Sequence, residues 1–302
     1  MRLTFLEQGL ALLAPMAGIL NLPLRLALRQ YGWTTSWIGS IDAAAVAAAG
    51  DGRLINILGK DQPVAPEESP LVVQLLGNEV RQLSKAMALL EERVDAFDLN
   101  LGCPLQTVIR KGLGASLLED SAKTTGMMRE LARMTRRPLT AKIRLAPGGG
   151  SQGAVDLAQR LEAAGVAALV VHARTARQGF SGPADWSAIR AINERLTIPV
   201  IANGGIGTVR DVTSCREQTG CSWVMVGTGA IRNPFLNQEC RRLAGGTAAG
   251  EGKRERLRDF AREYGRRLVS SQAGFPRRLA CPVGVLAYAI LRLRIVAFVG
   301  RH

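Results

Sequence analysis

A cysteine at position 103 is the residue whose surroundings first suggest chemistry. It lies in FDLNLGCPLQTVIRKGLGASLLE, residues 97–119, directly before Pro104, and Gly112 and Gly114 follow it. Free cysteine often behaves as a small buried hydrophobe, so one interpretation is a core residue at a strand end. A thiol with an ordinary pKa of about 8.5 is mostly protonated at neutral pH, so Cys103 also suits the role of a proton donor. A nucleophile needs a lowered pKa and a basic partner, and the sequence nominates no such partner.

Two further polar side chains interrupt apolar runs. Lys142 lies inside TAKIRL, residues 140–145, and His172 ends LVVH, residues 169–172. A lysine in a buried strand is rarely without a partner, so Lys142 is predicted to have one. For His172 alone, the simpler interpretation is a satisfied structural histidine, and a ligand contact is the alternative.

Glycine turns follow two of the later apolar runs, as Asn203-Gly204-Gly205 and Gly227-Thr228-Gly229. Converging backbone N–H groups at such turns are suited to holding a phosphate. An ordinary tight turn explains either one alone, but two in successive runs favour a phosphate site.

The sequence predicts neither a metal site nor a disulfide framework. Its two histidines are His172 and His302, and no Cys/His cluster has the spacing of metal ligands. The five cysteines include no C-x-x-C pair, and an odd number in a chain of 302 residues indicates reduced thiols in a cytoplasm.

These residues are predicted to be positioned by eight strands that alternate with helices. The apolar runs are LALLAPMAG (10–18), GWTTSWIG (32–39), SPLVVQLLGN (69–78), DAFDLNLGCP (95–104), RPLTAKIRL (137–145), AALVVHART (167–175), IPVIANGGIG (198–207) and CSWVMVGTGA (221–230). Such alternation predicts a parallel sheet covered by helices, either doubly wound or a (β/α)₈ barrel. About eight units in about 230 residues favour the barrel, whose usual length is roughly 250 residues.

A barrel also predicts where the chemistry lies, because active sites form at the carboxyl ends of its strands. Seven of the runs end in polar or glycine groups, which core packing does not explain. These groups are Pro15 and Met16, Gln74, Asn100 to Cys103, Lys142 and Arg144, His172 and Arg174, Asn203 and Gly204, and Gly227 to Gly229.

The last quarter of the chain is basic. Residues 232–302 hold 15 Lys and Arg against 5 Asp and Glu, whereas residues 1–231 hold 24 against 20. The asymmetry favours a nucleic-acid partner, and a solvated basic face or an anionic membrane is the alternative. Residues 254–272 predict an amphipathic helix with arginines on one face and an apolar face for packing, formed by Leu257, Phe260, Ala261, Tyr264 and Leu268. The apolar run LACPVGVLAYAIL (279–291) is too short to span a membrane, so the sequence predicts no membrane-spanning helix there.

The chain resembles the tRNA-dihydrouridine synthase family in three long stretches, LAPMAGILNLPLR (13–25), FDLNLGCPLQTVIRKGLGASLLED (97–120) and VVHARTARQGFSGPADW (170–186). VQLLGN, TAKIRL, IPVIANGGI and VMVGTGA match in order between and after them. The VQLLG and DLN-x-GCP forms resemble the bacterial C-type enzyme, which acts on the uridine at tRNA position 16. The resemblance implies an FMN-bearing TIM barrel over residues 1–235 and a helical tRNA-binding domain over residues 236–302. Such an enzyme, expected as a cytoplasmic monomer without metal, reduces the C5=C6 bond of a D-loop uridine with NADPH.

The resemblance also implies which residues hold the cofactor. Gln74 hydrogen-bonds the isoalloxazine edge, Lys142 stabilises the anionic reduced ring and His172 contacts the cofactor. The other expected contacts to ring and phosphate come from three strand ends: Pro15, Met16, Ala17, Asn203, Gly204, Gly205, Gly227 and Thr228.

On the substrate side, hydride reaches C6 of uracil and the resulting enolate is protonated at C5, with Cys103 as the expected acid. Asn100 is expected to orient the uracil and Phe180 to stack on it, while Arg174 and Gly39 are further expected contacts to the RNA. The base must leave its stack to reach a barrel mouth, which suits a basic domain that grips the tRNA.

Several positions depart from the family pattern. Thr228 stands where the family usually has an arginine, and Ser36 and Gly39 replace the usual polar and charged residues of the second strand. Two rival functions follow: an FMN barrel that reduces free pyrimidines or enones, and an RNA-binding protein that has lost its flavin. The first has no use for the basic tail, and the second predicts a protein that stays colourless with FMN.

Overall fold

The computed structural model describes residues 3–7, 9–49, 65–146, 151–244 and 253–270, which alternate between strand and helix from end to end. The strands are β1 (Ala11–Leu13), β2 (Ser36–Asp42), β3 (Leu71–Leu76), β4 (Ala96–Leu101), β5 (Leu139–Leu145), β6 (Leu169–Thr175), β7 (Val200–Asn203) and β8 (Trp223–Val226). The helices are α1 (Leu22–Arg29), α2 (Ala43–Ala49), α3 (Val80–Leu90), α4 (Gln106–Ile109), α5 (Ser121–Met134), α6 (Ser151–Ala163), α7 (Trp186–Asn193), α8 (Val209–Thr219), α9 (Thr228–Arg232), α10 (Leu236–Ala244) and α11 (Lys253–Ser270).

The eight strands form one parallel sheet that curls into a nearly closed barrel. Its ladder runs β1-β8-β7-β6-β5-β4-β3-β2, so β1 and β2 are its two ends. The predicted (β/α)₈ barrel is therefore confirmed, including all eight predicted strands. The second strand is displaced from its predicted position at residues 32–39, because Gly32 turns the chain with φ +93° and β2 begins only at Ser36.

Two apolar clusters divide the core, as the alternation of side chains along a strand requires. The larger cluster lies between the outer faces of the strands and the helices. The smaller fills the lower barrel with inward side chains such as Val72, Val170 and Ile201. Phe5 and Leu6, from the 3₁₀ turn Thr4–Leu6, close the amino end of the strands. Among the described residues the lower interior is therefore a packed plug, which leaves the carboxyl ends of the strands as the place for a ligand.

A buried ion pair fastens α1 to the segment before β3. The Arg25 guanidinium donates to both carboxylate oxygens of Glu68, at 2.6 and 2.9 Å, and both side chains are buried. The same guanidinium donates to the Leu20 carbonyl at 2.8 Å. A two-pronged contact of this kind fixes orientation as well as distance.

The helix predicted over residues 254–272 is confirmed as α11, which packs on α1. Phe260, Ala261, Tyr264 and Leu268 are buried as predicted, whereas Leu257 is 36% exposed. Asn21 Nδ2 donates to the Tyr264 hydroxyl at 3.2 Å. The boundary of the second domain at residue 236 stays a prediction, and the run at 279–291 lies outside the described residues.

Candidate active site

The upper half of the barrel interior is polar, and strand register explains which side chains meet there. Gln74 pairs with Asp98 across β3 and β4, and Asn100 pairs with Lys142 across β4 and β5. His172 pairs with Asn203 across β6 and β7. Because these residues share one face of their strands, they converge above the apolar plug. The structure thus brings together most of the predicted polar strand-end residues.

Cys103 follows β4 in a loop whose backbone is held by Asn100. The Asn100 side-chain oxygen accepts hydrogen bonds from the backbone N–H of Cys103 at 2.9 Å and of Gly102 at 3.1 Å. The Cys103 carbonyl accepts from the Ala115 N–H at 3.0 Å. Gly114, with φ +62°, packs so closely that an added Cβ would lie 2.8 Å from the Cys103 carbonyl oxygen. Cys103 is only partly buried, so its thiol is not a core side chain.

A buried carboxylate lies beneath this loop. Asp98 is 1% exposed and accepts from Gln74 Nε2 at 2.7 Å and from the Thr140 hydroxyl at 2.6 Å. Burial raises its pKa to about 6, although the hydrogen bonds from Thr140 and Gln74, the charge of Lys142 and the nearby Trp37 indole act to lower it. At neutral pH the Asp98 carboxyl is therefore mostly ionised, and it accepts hydrogen bonds without donating any.

Lys142 has the partner that its burial predicted. Its Nζ donates to Asn203 Oδ1 at 2.9 Å, and Asn203 Nδ2 in turn donates to the Met225 carbonyl at 2.7 Å. Burial, followed by the charge of Arg144, lowers the pKa of Lys142 to about 8. The ammonium therefore remains mostly charged at neutral pH and lies in the barrel mouth.

His172 lies near that charge with one ring nitrogen unpaired. Nδ1 is buried and finds no hydrogen-bond partner among the described residues. Burial and then the positive charges of Lys142, Arg144 and Arg174 lower its pKa to about 2, so the imidazole is neutral. A buried polar atom without a partner is unusual in a native protein and indicates a ligand or an ordered water.

Arg144 connects the Cys103 loop to the loop after β6. Its guanidinium donates to the Gly102 carbonyl at 2.7 Å and to the Thr175 and Gly179 carbonyls at 3.0 and 2.6 Å. It also lies 5.2 Å from the centre of the Phe180 ring, which is 59% exposed at the barrel mouth. The ring centre lies 6.2 Å from that of His172. Phe180 is thus an exposed aromatic face above the polar layer.

The predicted glycine turns follow β7 and β8, which are neighbouring strands. Gly204 and Gly205 have φ of +103° and +78°, and a Cβ on Gly204 would lie 3.1 Å from His172 Nε2. A Cβ on Gly229 would lie 2.4 Å from the Ile206 carbonyl oxygen. A side chain would therefore be strained at Gly204 and has no room at Gly229, so the backbone of each turn approaches its neighbours closely at that position.

The remaining predicted residues surround this centre. Pro15, Met16 and Ala17 form the turn after β1, with Met16 Sδ 3.6 Å from where a Cβ on Gly227 would lie. Thr228 opens α9 and is half-buried.

Two residues predicted to meet the RNA make internal contacts. Arg174 donates to the Gly182 carbonyl from Nε and Nη2, at 3.0 and 2.8 Å, and thereby folds the Phe180 loop back on β6. Gly39 is buried in the barrel wall, where a Cβ would lie 2.4 Å from the Gln74 carbonyl oxygen. Contact of either residue with RNA stays a prediction.

Sequence reasoning missed Asp98 and did not assign a role to Arg144. Each lies two residues from a predicted site residue on the same strand, Asp98 before Asn100 and Arg144 after Lys142. Because alternate residues of a strand share a face, this spacing was the available signal.

Neither metal ligation nor membrane insertion finds support in the described ranges. They contain no group of three or more His, Cys, Asp or Glu side chains that could hold a metal ion. No helix within them is long and apolar enough to cross a membrane.

Comparison with known proteins identifies the family. The chain matches the family model described as dihydrouridine synthase over residues 12–269. It is 32% identical over 260 residues to a probable tRNA-dihydrouridine synthase of Rhizobium leguminosarum bv. phaseoli, covering 85% of this chain and 78% of that protein. It is 34% identical over 248 residues to the tRNA-dihydrouridine(16) synthase of Cupriavidus necator, covering 79% and 76% of the two chains.

Among solved structures, that of the BexX/CysO complex of Amycolatopsis orientalis is similar in fold. The TM-score is 0.50 at 21% identity, and the match covers 89% of this chain and 94% of that one. With a family match over most of its length and the polar barrel mouth in place, the chain belongs to the dihydrouridine synthase family.

Proposed function

We propose that this protein reduces the C5=C6 bond of a D-loop uridine in tRNA, with FMN as its flavin and NADPH as the reductant. Dihydrouridine synthases are flavin-dependent oxidoreductases, and the proposal specifies the cofactor, the substrate base and the residues. The observation that carries it is the partly exposed Cys103, held by Asn100 at the mouth of a barrel whose neighbouring strands present Lys142 and His172.

The residues at the mouth fit a flavin. His172 Nδ1 is buried and has no hydrogen-bond partner within the described part of the chain, while Nε2 of the same ring faces the glycine turn after β7. Gln74 and Lys142 offer N–H donors from β3 and β5, and the backbones of residues 203–205 and 227–229 suit a phosphate. Thr228 supplies a hydroxyl where the family usually has an arginine.

A flavin held by these residues would supply a hydride, and the chain would supply the proton. Hydride addition at C6 of uracil leaves negative charge on the C5–C4–O4 enolate, which must take a proton at C5. We assign this transfer to the Cys103 thiol, whose S–H bond breaks as the C5–H bond forms. The resulting thiolate recovers its proton from solvent. Lys142 and the Arg144 guanidinium place positive charge near the enolate as it develops.

Two observations support tRNA as the substrate, namely the basic helix α11 and the name of a relative. The helix α11 carries seven Lys and Arg residues within 18 positions and packs on α1, which gives a polyanion a basic surface on the outside of the barrel. The Cupriavidus necator relative is named for tRNA position 16, so we propose uridine 16 as the modified base.

The test is a reconstituted reaction. Purified protein, FMN, NADPH and an unmodified tRNA transcript are incubated, and dihydrouridine is mapped by position. We expect modification at position 16 and a loss of about 10²- to 10⁴-fold in rate for Cys103→Ala, the range of general acid catalysis, with FMN binding unchanged. The matched control is Cys240→Ala, a buried cysteine of α10.

Each rival has its own outcome. A protein that binds tRNA but stays colourless with FMN would support a flavin-free RNA-binding role. Turnover of free uridine as fast as that of tRNA would support a pyrimidine reductase, and full activity of Cys103→Ala would remove the assigned acid.

A further inference from the structure

The buried carboxylate of Asp98 ends a hydrogen-bond relay that reaches the Cys103 backbone. Gln74 Nε2 donates to Asp98 at 2.7 Å, and Gln74 Oε1 accepts from Asn100 Nδ2 at 3.0 Å. Asn100 Oδ1 then accepts from the N–H groups of Gly102 and Cys103. Three successive links, the last of them shared by the two N–H groups, therefore connect the middle of the barrel to the loop of the proposed acid.

The groups at both ends of this relay require the hydrogen bonds to run in the same donor-to-acceptor direction. The N–H groups of Gly102 and Cys103 can only donate, so Asn100 must present its oxygen to them and its NH₂ to Gln74. Gln74 must then accept with Oε1 and donate with Nε2, which requires an acceptor at position 98. An ionised aspartate only accepts, so it cannot stabilise the reversed orientation of the two amides.

Asn100 has no hydrogen-bonding group left over in this arrangement. Its NH₂ donates to Gln74 and to the Ser40 hydroxyl, the latter at 2.9 Å, and its oxygen accepts twice. Gln74 keeps one N–H that is not committed to Asp98. The relay therefore decides that Gln74 offers a ligand a donor.

We propose that Asp98 is a positioning residue, the terminal acceptor that orients the Gln74 amide toward the flavin and, through Asn100, holds the Cys103 loop for proton delivery. The inference rests on the proposed function for the roles of Gln74 and Cys103. The burial of Asp98 supports it, because a carboxylate in the barrel interior costs folding free energy that an apolar residue would avoid.

Three variants distinguish whether position 98 acts as a hydrogen-bond acceptor, through its charge or through its packing. Asp98→Leu is close in size and removes the acceptor. Asp98→Asn keeps an acceptor for Gln74, because its NH₂ can turn to the Thr140 hydroxyl, which then donates to the Phe97 carbonyl 3.2 Å away. Thr140→Val removes the other hydrogen bond to Asp98 and leaves the relay intact.

Two measurements test the relay without requiring catalytic activity. Hydrogen exchange of the Gly102 and Cys103 amides is measured on the flavin-free protein, and the Kd for FMN is measured from the change in its fluorescence. For Asp98→Leu we expect amide exchange at least tenfold faster and a Kd for FMN at least tenfold higher; a tenfold change corresponds to 1.4 kcal/mol. For Asp98→Asn we expect both quantities to stay within about threefold of wild type, because the acceptor for Gln74 is kept. Thr140→Val is expected to lower thermal stability without changing either readout.

Wild-type exchange and Kd in Asp98→Leu would overturn the proposal. So would losses in Asp98→Asn as large as in Asp98→Leu, which would assign the effect to charge, or equal losses in Thr140→Val, which would assign it to packing. If Asp98→Leu fails to fold, Gln74→Met cuts the relay one link nearer Cys103 and must give the same faster exchange.

The exchange measurement also keeps the two proposals apart. A wild-type protein that makes no dihydrouridine while Asp98→Leu frees the Cys103 amide would end the proposed function and leave the relay standing. Dihydrouridine formation by wild type together with unchanged exchange in Asp98→Leu and Gln74→Met would do the reverse.

Discussion

Single residues in the barrel mouth depend on their electrostatic surroundings more than on their own type. His172 is buried and lies near Lys142, Arg144 and Arg174, all of which disfavour a charged imidazole. A neutral ring keeps one nitrogen as an acceptor and the other as a donor, which suits contact with a polar cofactor. The same histidine in solvent would titrate near pH 6.5.

We expect the His172 imidazole to stay neutral between pH 5 and 9. The chain has only two histidines, so a His302→Gln variant leaves a single ring whose carbon-bound protons can be followed by NMR. The expected chemical shift is flat across this range, because burial and three cations lower the pKa of His172 to about 2. A titration with a midpoint near 6.5 would contradict the geometry.

Asp98 predicts an unusual dependence of stability on pH. Its pKa rises from the ordinary 3.8 to about 6 in the folded protein, so the native state binds a proton more readily than the unfolded chain. Stability from this group is therefore greatest below about pH 4 and falls as pH rises to about 6, by about 3 kcal/mol in total. Lys142 is the nearby charge that limits the rise.

The Asp98→Asn variant should lack this contribution. In urea unfolding, the free energy of unfolding of the variant relative to wild type is expected to be about 2 kcal/mol higher at pH 7 than at pH 4, because pH 4 already lies slightly above the ordinary pKa of aspartate. An equal difference between the two proteins at both pH values would mean that Asp98 is not buried as an ionised group.

At the scale of elements, the polar residues of β5 organise the loops of its neighbours. Arg144 reaches the loop after β4 through Gly102 and the loop after β6 through Thr175 and Gly179. Burial lowers its pKa to about 10, so it remains charged at neutral pH. One side chain thus sets the distance between the Cys103 loop and the Phe180 ring.

Arg144→Met is expected to release both loops at once. Hydrogen exchange in residues 102–115 and 176–182 should rise together, because the variant keeps the length of the side chain and loses its donors. Arg144→Lys should restore little, since an ammonium lacks the planar fork that serves three carbonyls. Arg177→Met, an exposed position on the same loop, is the control, and faster exchange in one loop alone would contradict the coupling.

At the scale of the whole molecule, charge is concentrated on one side of a nearly balanced barrel. The helix α11 packs on α1 and presents arginines such as Arg258 and Arg266 to solvent, while its Phe260 ring contacts Tyr31 and Phe235. Several of these arginines form ion pairs along the helix, including Arg266 with Glu263 at 2.7 Å. Exposed pairs of this kind are worth little, so their cations remain available to a polyanion.

We expect tRNA binding to weaken steeply with salt. Replacing Arg258 or Arg266 by Gln should lower the slope of log K against log salt by about 0.7 to 0.9 for each arginine that neutralises a phosphate. Arg129→Gln, an exposed position on α5, is the matched control and should leave the slope unchanged. Equal slopes in all variants would place the RNA on another surface.

The sequence alone determined the order of strands and helices and predicted that polar residues, Cys103 among them, gather at the strand ends, whereas the partial burial of Cys103 was decided by the structure. The predicted features follow from local periodicity and from glycine or polar residues at strand ends, which are readable within about ten positions. Asp98 escaped notice because strands of a parallel barrel are apolar on both faces, and periodicity does not say which face looks inward.

Only the tertiary structure decided how the polar groups are connected. Gln74, Asp98 and Thr140 come from three strands, and the direction of each hydrogen bond depends on a partner more than 20 residues away. Residue types state which atoms can donate or accept, but register and strand stagger determine which of them meet. The relay from Asp98 to Cys103 and the double anchorage of Arg144 therefore appear only once the barrel is formed.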